Sequence, residues 1–262
     1  MTESTGNAVV REPRRAGREL LLEAVFRPVA SVFVPLLSRA KVPPPAVVLA
    51  NAATGLVAAL ALARGELVAA ALLLQAKSLL DNLDGELARA TGQVTLLGRY
   101  LDTLADLVVN AALFAALGYV TGQWLLAIAG FVSLTLVLAA DFNATELHRE
   151  VNGTASIRPR ATGTRFERAL AAAYGVLLGP LDRMARAIVR RRLPAETSYD
   201  AFTVTALANL GLTTQLAALG VCLLLDAPAA YLWLCVACLV ALVPLQLGAE
   251  RRARARLSRA AA

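Results

Sequence analysis

Asp81-Asn82-Leu83-Asp84-Gly85-Glu86-Leu87-Ala88-Arg89 and, after eight intervening residues, Gly98-Arg99-Tyr100-Leu101-Asp102-Thr103-Leu104-Ala105-Asp106 stand inside sequence that otherwise reads as hydrocarbon. Predominantly apolar runs lead into the first stretch and out of the second, each long enough to cross a bilayer core of about 30 Å as a helix. An aspartate near the centre of such a helix costs about 2.5–3.5 kcal/mol on insertion scales, and less near an interface. Four of them call for a compensating cation. Asp81 and Asp84 are three apart and Asp102 and Asp106 four apart, so each pair projects from one helix face, and two adjacent antiparallel helices can bring all four carboxylates to one site. Carboxylate oxygens suit a hard ion, Mg2+ or Mn2+, which keeps waters and substrate phosphate oxygens in its other positions. Two ions about 3.5–4 Å apart would neutralise a pyrophosphate and stabilise a leaving oxygen. The competing reading has the acids solvated at a helix end or neutralised by Lys77, Arg89 and Arg99.

The 262 residues are 58% apolar with a positive mean hydropathy, too apolar for an ordinary soluble domain. Six segments are expected to be transmembrane helices: 44–63, 67–88, 99–120, 124–146, 201–225 and 229–248. The expected fold class is therefore all-α, a polytopic membrane protein of six transmembrane helices. The net charge of +7 would suggest nucleic acid on a soluble domain, but the cations fall between or outside the apolar runs. Seven precede the first span, ten arginines lie from Arg149 to Arg192, and more follow the sixth span from Arg251 to Arg259. The turns near 64–66, 121–123 and 226–228 carry one arginine in all. The positive-inside rule then puts both termini, and the acidic site, on the cytoplasmic side of the cytoplasmic membrane, and no nucleic-acid partner is expected. The polar, basic N-terminus lacks the pattern of a cleaved signal, so the first span is expected to direct insertion.

Residues 1–43 divide into a polar tail and, from 18 to 37, an interfacial amphipathic helix that Pro28 and Pro35 bend and Pro43-Pro44-Pro45 ends. Residues 44–256 form the membrane domain, interrupted by a cytoplasmic linker at 150–198. In that linker Phe166, Leu170, Tyr174, Leu177, Leu181, Met184 and Ile188 recur at helical spacing, with arginines on other faces. Such a helix suits an anionic leaflet, and Gly175 and Pro180 argue against its being unbroken. Cys222, Cys235 and Cys238 all fall within spans; the Cys235-x-x-Cys238 spacing lacks a second ligand pair and reads as packing.

The pattern Asp81-x-x-Asp84-Gly85-x-x-Ala88-Arg89, eight residues, then Gly98-x-x-x-Asp102-x-x-x-Asp106 matches in every fixed position the signature of the CDP-alcohol phosphotransferases, and the chain resembles that family throughout. The resemblance implies displacement at the β-phosphorus of a CDP-alcohol by an acceptor hydroxyl, with CMP leaving. Asp81, Asp84, Asp102 and Asp106 would bind Mg2+ or Mn2+, as two ions, and Asp106 would also be the catalytic base. Gly85, Ala88, Arg89, Thr95 and Gly98 would form the CDP-alcohol site: Gly85 admits the nucleotide, Arg89 pairs with the diphosphate, Thr95 offers a hydroxyl, and Gly98 allows close helix packing. A carboxylate beside bound metal can accept a proton as charge develops on the attacking oxygen, and phosphoryl transfer needs mainly positioning and charge neutralisation. A homodimer is implied by the resemblance alone.

The chain departs from the family at Pro44-Pro45-Ala46-Val47-Val48, where a Pro-Asn pair followed by Thr is usual; Asn51 and Thr54, deeper in the helix, either substitute or pack. Arg149, Arg158 and Arg160 are the candidate acceptor-binding residues, with topology and lipid headgroups as their alternative role. His148 is expected to be solvated. Asp141 and Asn143 are either functional or helix-pairing, and Asn209, Thr213, Thr214 and Gln215 are expected to pack. The leading reading is phospholipid synthesis from CDP-diacylglycerol in membrane lipid. Its alternatives are the same chemistry on a soluble CDP-polyol, a cation transporter or channel with an acidic pathway, and an inactive structural protein, against which the intact aspartate set argues.

Overall fold

The structure is a computed structural model, and it describes residues 17–152, 159–192 and 199–260. It is all-helical among the described residues, apart from one isolated bridge between Thr95 and Arg160. A π-helical turn at Leu22–Phe26 leads into α1 (Arg27–Arg39), then α2 (Pro44–Ala63), α3 (Leu67–Ala90), α4 (Leu96–Thr121) and α5 (Trp124–Val151). The linker folds as α6 (Arg165–Leu177) and α7 (Gly179–Arg192), and the chain ends with α8 (Ala201–Ala208), α9 (Leu212–Leu224) and α10 (Pro228–Ala260).

Proline and glycine set many of these boundaries. Pro43 is extended at the N-cap of α2 and Pro44 takes its first turn, where a missing N–H costs nothing. Gly65, at φ 78°, lets the chain reverse into α3, and Gly122, at φ 69°, does the same after α4. The expected bends in the N-terminal helix take a different form. Before Pro28 the helix widens, with the Arg27 N–H bonded to the Leu22 carbonyl, and Pro35 is accommodated inside α1.

Among the described residues four helices, α2, α4, α5 and α10, are long and apolar enough to cross a membrane. The pair α8–α9, bent by 41° at its break, brings the number to five. The expected single helix at 201–225 is thus broken. Asn209 accounts for the break: its side-chain oxygen accepts from the Leu20 N–H, and its amide donates to the carbonyls of Arg18 and Thr205. The expected span at 67–88 corresponds to α3, which has the length but carries Lys77, Asp81, Asp84, Glu86 and Arg89. At about 1.5 Å per residue, α10 is also longer than a bilayer core, so its arginine-rich end projects beyond it.

The core lies among α2, α3, α4, α5, α9 and the first turns of α10, around Leu62, Leu74, Leu113, Leu117, Leu219 and Tyr231. α2 packs on both α3 and α4, which meet each other far less. Their backbones are therefore wedged apart rather than directly adjacent, and the gap between the C-terminal half of α3 and the N-terminal half of α4 becomes the cleft. The close approaches depend on glycine: a Cβ at Gly55 would stand 2.4 Å from Val109 Cγ1, and one at Gly130 would stand 2.8 Å from the Phe114 ring. Gln215, in α9, bonds toward Cys238 and the Leu210 carbonyl, the packing role expected of it.

Candidate active site

The end of α3 and the start of α4 face each other across a cleft of about 640 Å3. Lys77, Asp81 and Asp84 recur at four and three on α3, and Gly98, Asp102 and Asp106 at four on α4, so each set forms a stripe along one helix face. One carboxylate oxygen from each of Asp81, Asp102 and Asp106 lies within 4.8 Å of the others, close enough to share a metal ion. Asp84 lines the same cleft without joining that group. Asp84 Oδ2 and Asp102 Oδ1 are both buried with no hydrogen-bond partner. Hard carboxylate oxygens left unpaired at the floor of a polar cleft fit a divalent ion.

The remaining expected contacts also face the cleft. Gly85, Ala88, Arg89, Thr95 and Gly98 line it with Asp81, Asp84 and Asp102. Gly98 does not serve helix packing, because the nearest atom to a Cβ there would be its own neighbour Thr95 Oγ1, at 3.2 Å. The Thr95 hydroxyl accepts from the Gly98 N–H at 3.0 Å and so caps α4. At Gly85 a Cβ would meet only the Arg89 guanidinium, at 3.3 Å, which leaves the backbone open to a ligand. Pro44, Pro45 and Val48 contribute an apolar wall where the family usually has polar side chains.

Neighbouring side chains surround the carboxylates and complete the walls. Asn51 donates from Nδ2 to Asp81 Oδ1 at 3.1 Å, so it serves a carboxylate rather than a nucleotide, while Thr54 bonds back to the Ala50 carbonyl. Lys77, fully buried, reaches Asp106 Oδ1 at 2.7 Å and Asp81 Oδ1 at 4.0 Å. The neutralisation considered for Lys77 therefore holds for two of the four acids. Phe142, Glu146 and Arg149 recur at four and three on α5 and form the opposite wall, where the Arg99 guanidinium lies 5.2 Å from the centre of the Phe142 ring. Arg27, paired with Glu86 at 3.5 Å, closes the N-terminal side.

The linker supplies the rim. Arg160 donates its N–H to the Val94 carbonyl and its own carbonyl accepts from the Leu96 N–H, which fastens Pro159 against the cleft. The Arg160 side chain is exposed and is not among the lining residues, Arg149 is, and Arg158 lies outside the described residues. Beyond the bridge, Glu167 accepts from the Thr162 N–H, the Thr162 hydroxyl and the Gly163 N–H, and these bonds hold its carboxyl below the usual glutamate range. Tyr174 packs its ring, tilted by 49°, against Tyr100 of α4, with ring centres 5.4 Å apart, and donates its hydroxyl to Asp182. Burial first, and then that hydrogen bond, push the Tyr174 phenol up to about 12, so the hydroxyl stays a donor and holds the elbow between α6 and α7. His148, expected in solvent, is half-buried and places Nδ1 2.7 Å from the Tyr199 carbonyl, joining α5 to the start of α8. Asn143 donates to the Ala139 carbonyl in its own helix.

Helices long and apolar enough to span a membrane, with buried carboxylates converging at a polar cleft, define the class as an integral membrane protein with an acidic, metal-compatible site. Within that class, the chain belongs to the CDP-alcohol phosphatidyltransferase family, whose model matches residues 41–243. The family transfers a phosphoalcohol group from a CDP-alcohol donor to a hydroxyl acceptor and generally uses divalent metals. No curated protein matches the chain well enough to count as a relative.

Proposed function

We propose that the chain is a metal-dependent transferase of phospholipid synthesis that moves the phosphatidyl group of CDP-diacylglycerol to an acceptor hydroxyl and releases CMP. The observation that carries this reading is the meeting of Asp81, Asp102 and Asp106 oxygens within 4.8 Å at a cleft lined by Gly85, Ala88, Arg89, Thr95 and Gly98. Asp81, Asp84, Asp102 and Asp106 hold Mg2+ or Mn2+, which when bound neutralises the diphosphate and the charge that develops on transfer. Arg89 pairs with the diphosphate, and Gly85 and Gly98 leave room for the nucleotide. Asp106 accepts the proton of the attacking hydroxyl. Arg149, on the facing wall, orients the acceptor, with Arg158 and Arg160 further out along the linker.

In this reading α3 also spans the membrane, which brings the spans to six, its polar face turned to the cleft and its exposed Val68 and Leu72 to lipid. The membrane domain runs over 44–256, with α1 interfacial, both ends and the cleft on the cytoplasmic side, and the protein a homodimer. The exposed Val29, Val32, Phe33 and Leu36 of α1 support the interfacial placement.

Nucleotide protection separates this reading from a cation pathway. With Mg2+ present, CDP at about a hundred times its Kd should stabilise the purified protein by about 2.7 kcal/mol, read as a raised Tm. CDP without metal should give little protection. Protection by Mg2+ alone with no response to CDP would exclude the transferase reading.

A further inference from the structure

The carboxylate cluster is divided. Its inner side meets Lys77, whose ammonium lies 2.7 Å from Asp106 Oδ1 and 4.0 Å from Asp81 Oδ1, while Asp106 itself is not among the residues lining the cleft. Its outer side is formed by Asp81, Asp84 and Asp102, which do line the cleft, and Asp84 and Asp102 each have a buried carboxylate oxygen with no hydrogen-bond partner. The position of Lys77 is built in. It lies on the same face of α3 as Asp81 and Asp84, it is fully buried, and its stem passes Gly55, where a Cβ would stand 3.1 Å from Lys77 Cδ.

We propose that Lys77 occupies the second cation position of the cluster, so that the chain alone takes up one divalent ion, and a second enters only with a diphosphate. The proposal rests on the reading of the four aspartates as metal ligands. A fixed ammonium and a divalent ion share the carboxylates of Asp81 and Asp106 and repel each other in surroundings that screen charge poorly. With one ammonium against four carboxylates, a first ion leaves the cluster slightly negative and a second would leave it positive. The diphosphate of a nucleotide supplies the negative charge that makes the second ion favourable. Until then the ammonium keeps Asp106 engaged, and the pair reserves that carboxylate for the loaded site.

Counting bound Mn2+ by the loss of its free-ion EPR signal tests this on the full-length protein in detergent, with and without CDP. The expected counts are one ion per chain alone and two with CDP. Lys77→Met should bind two without CDP, with at least a tenfold lower Kd for the second ion than the wild type shows. Two ions on the nucleotide-free wild type would overturn the role of Lys77 while leaving the metal site intact, and that result does not depend on whether any variant folds. A folded Lys77→Met that still binds one ion would overturn it as well. No Mn2+ bound in either condition would remove the metal site and this proposal together.

Discussion

Asp106 and Asp84 look alike in sequence but stand differently toward the cleft, and their asparagine variants should separate. Asp106→Asn keeps the shape and can still accept from Lys77, so metal-dependent CDP binding should persist while turnover falls by about 100- to 10,000-fold, the usual contribution of a positioned base. Asp81→Asn and Asp84→Asn should instead weaken metal-dependent CDP binding itself. Binding and turnover measured on all three decide, and full activity in every variant would remove the site. The aspartates were legible because four acids in paired helical register are too costly in a membrane to be incidental. Lys77 was legible as a neutralising group, but its pairing with Asp106 and that of Asn51 with Asp81 were not, since each contact crosses from one helix to another. Apolar periodicity says which face is buried, but not which polar group will sit opposite.

At the scale of elements, the wedge formed by α2 should be sensitive to volume. Gly55→Ala pushes a methyl against Val109 and the Lys77 stem, and overpacking of this kind costs about 1–3 kcal/mol, readable as a lowered Tm with weakened metal binding. The linker's anchor should depend on pH. Because its hydrogen bonds hold the Glu167 carboxyl below the usual range, its stabilisation is complete above that range and is lost as pH falls through the depressed value. The Tm difference between wild type and Glu167→Gln should therefore be largest near pH ~7 and close on acidification toward pH ~3. A difference that widened on acidification would contradict the anchor. The limits of α2 follow from its proline entry and its glycine exit and could be placed from sequence alone. The break between α8 and α9 could not: Asn209 and Gly211 stand at it in the sequence, but the partners that Asn209 bonds lie near Arg18, about 190 residues away.

For the molecule as a whole, the cleft is assembled from segments far apart in the chain: the π-helical turn, the start of α2, the facing stretches of α3 and α4, the end of α5 and the linker at Pro159. The signature made two of these walls legible. The α5 wall carried a weaker signal, Phe142, Glu146 and Arg149 on one helical face, which Asp141 and Asn143 obscured. The linker's part was hidden because a bridge between Thr95 and Arg160 leaves no trace in composition. If this cleft transfers a phosphoalcohol group, the chemistry must show itself as CMP release. Purified protein in lipid with Mg2+ and CDP-diacylglycerol should release CMP when one of glycerol phosphate, inositol phosphate, inositol or serine is added, and should stop when Mg2+ is chelated or Asp106 is replaced by asparagine. Metal-driven cation flux through liposomes with no CMP release from any CDP-alcohol, or CMP release undiminished in Asp106→Asn, would contradict it.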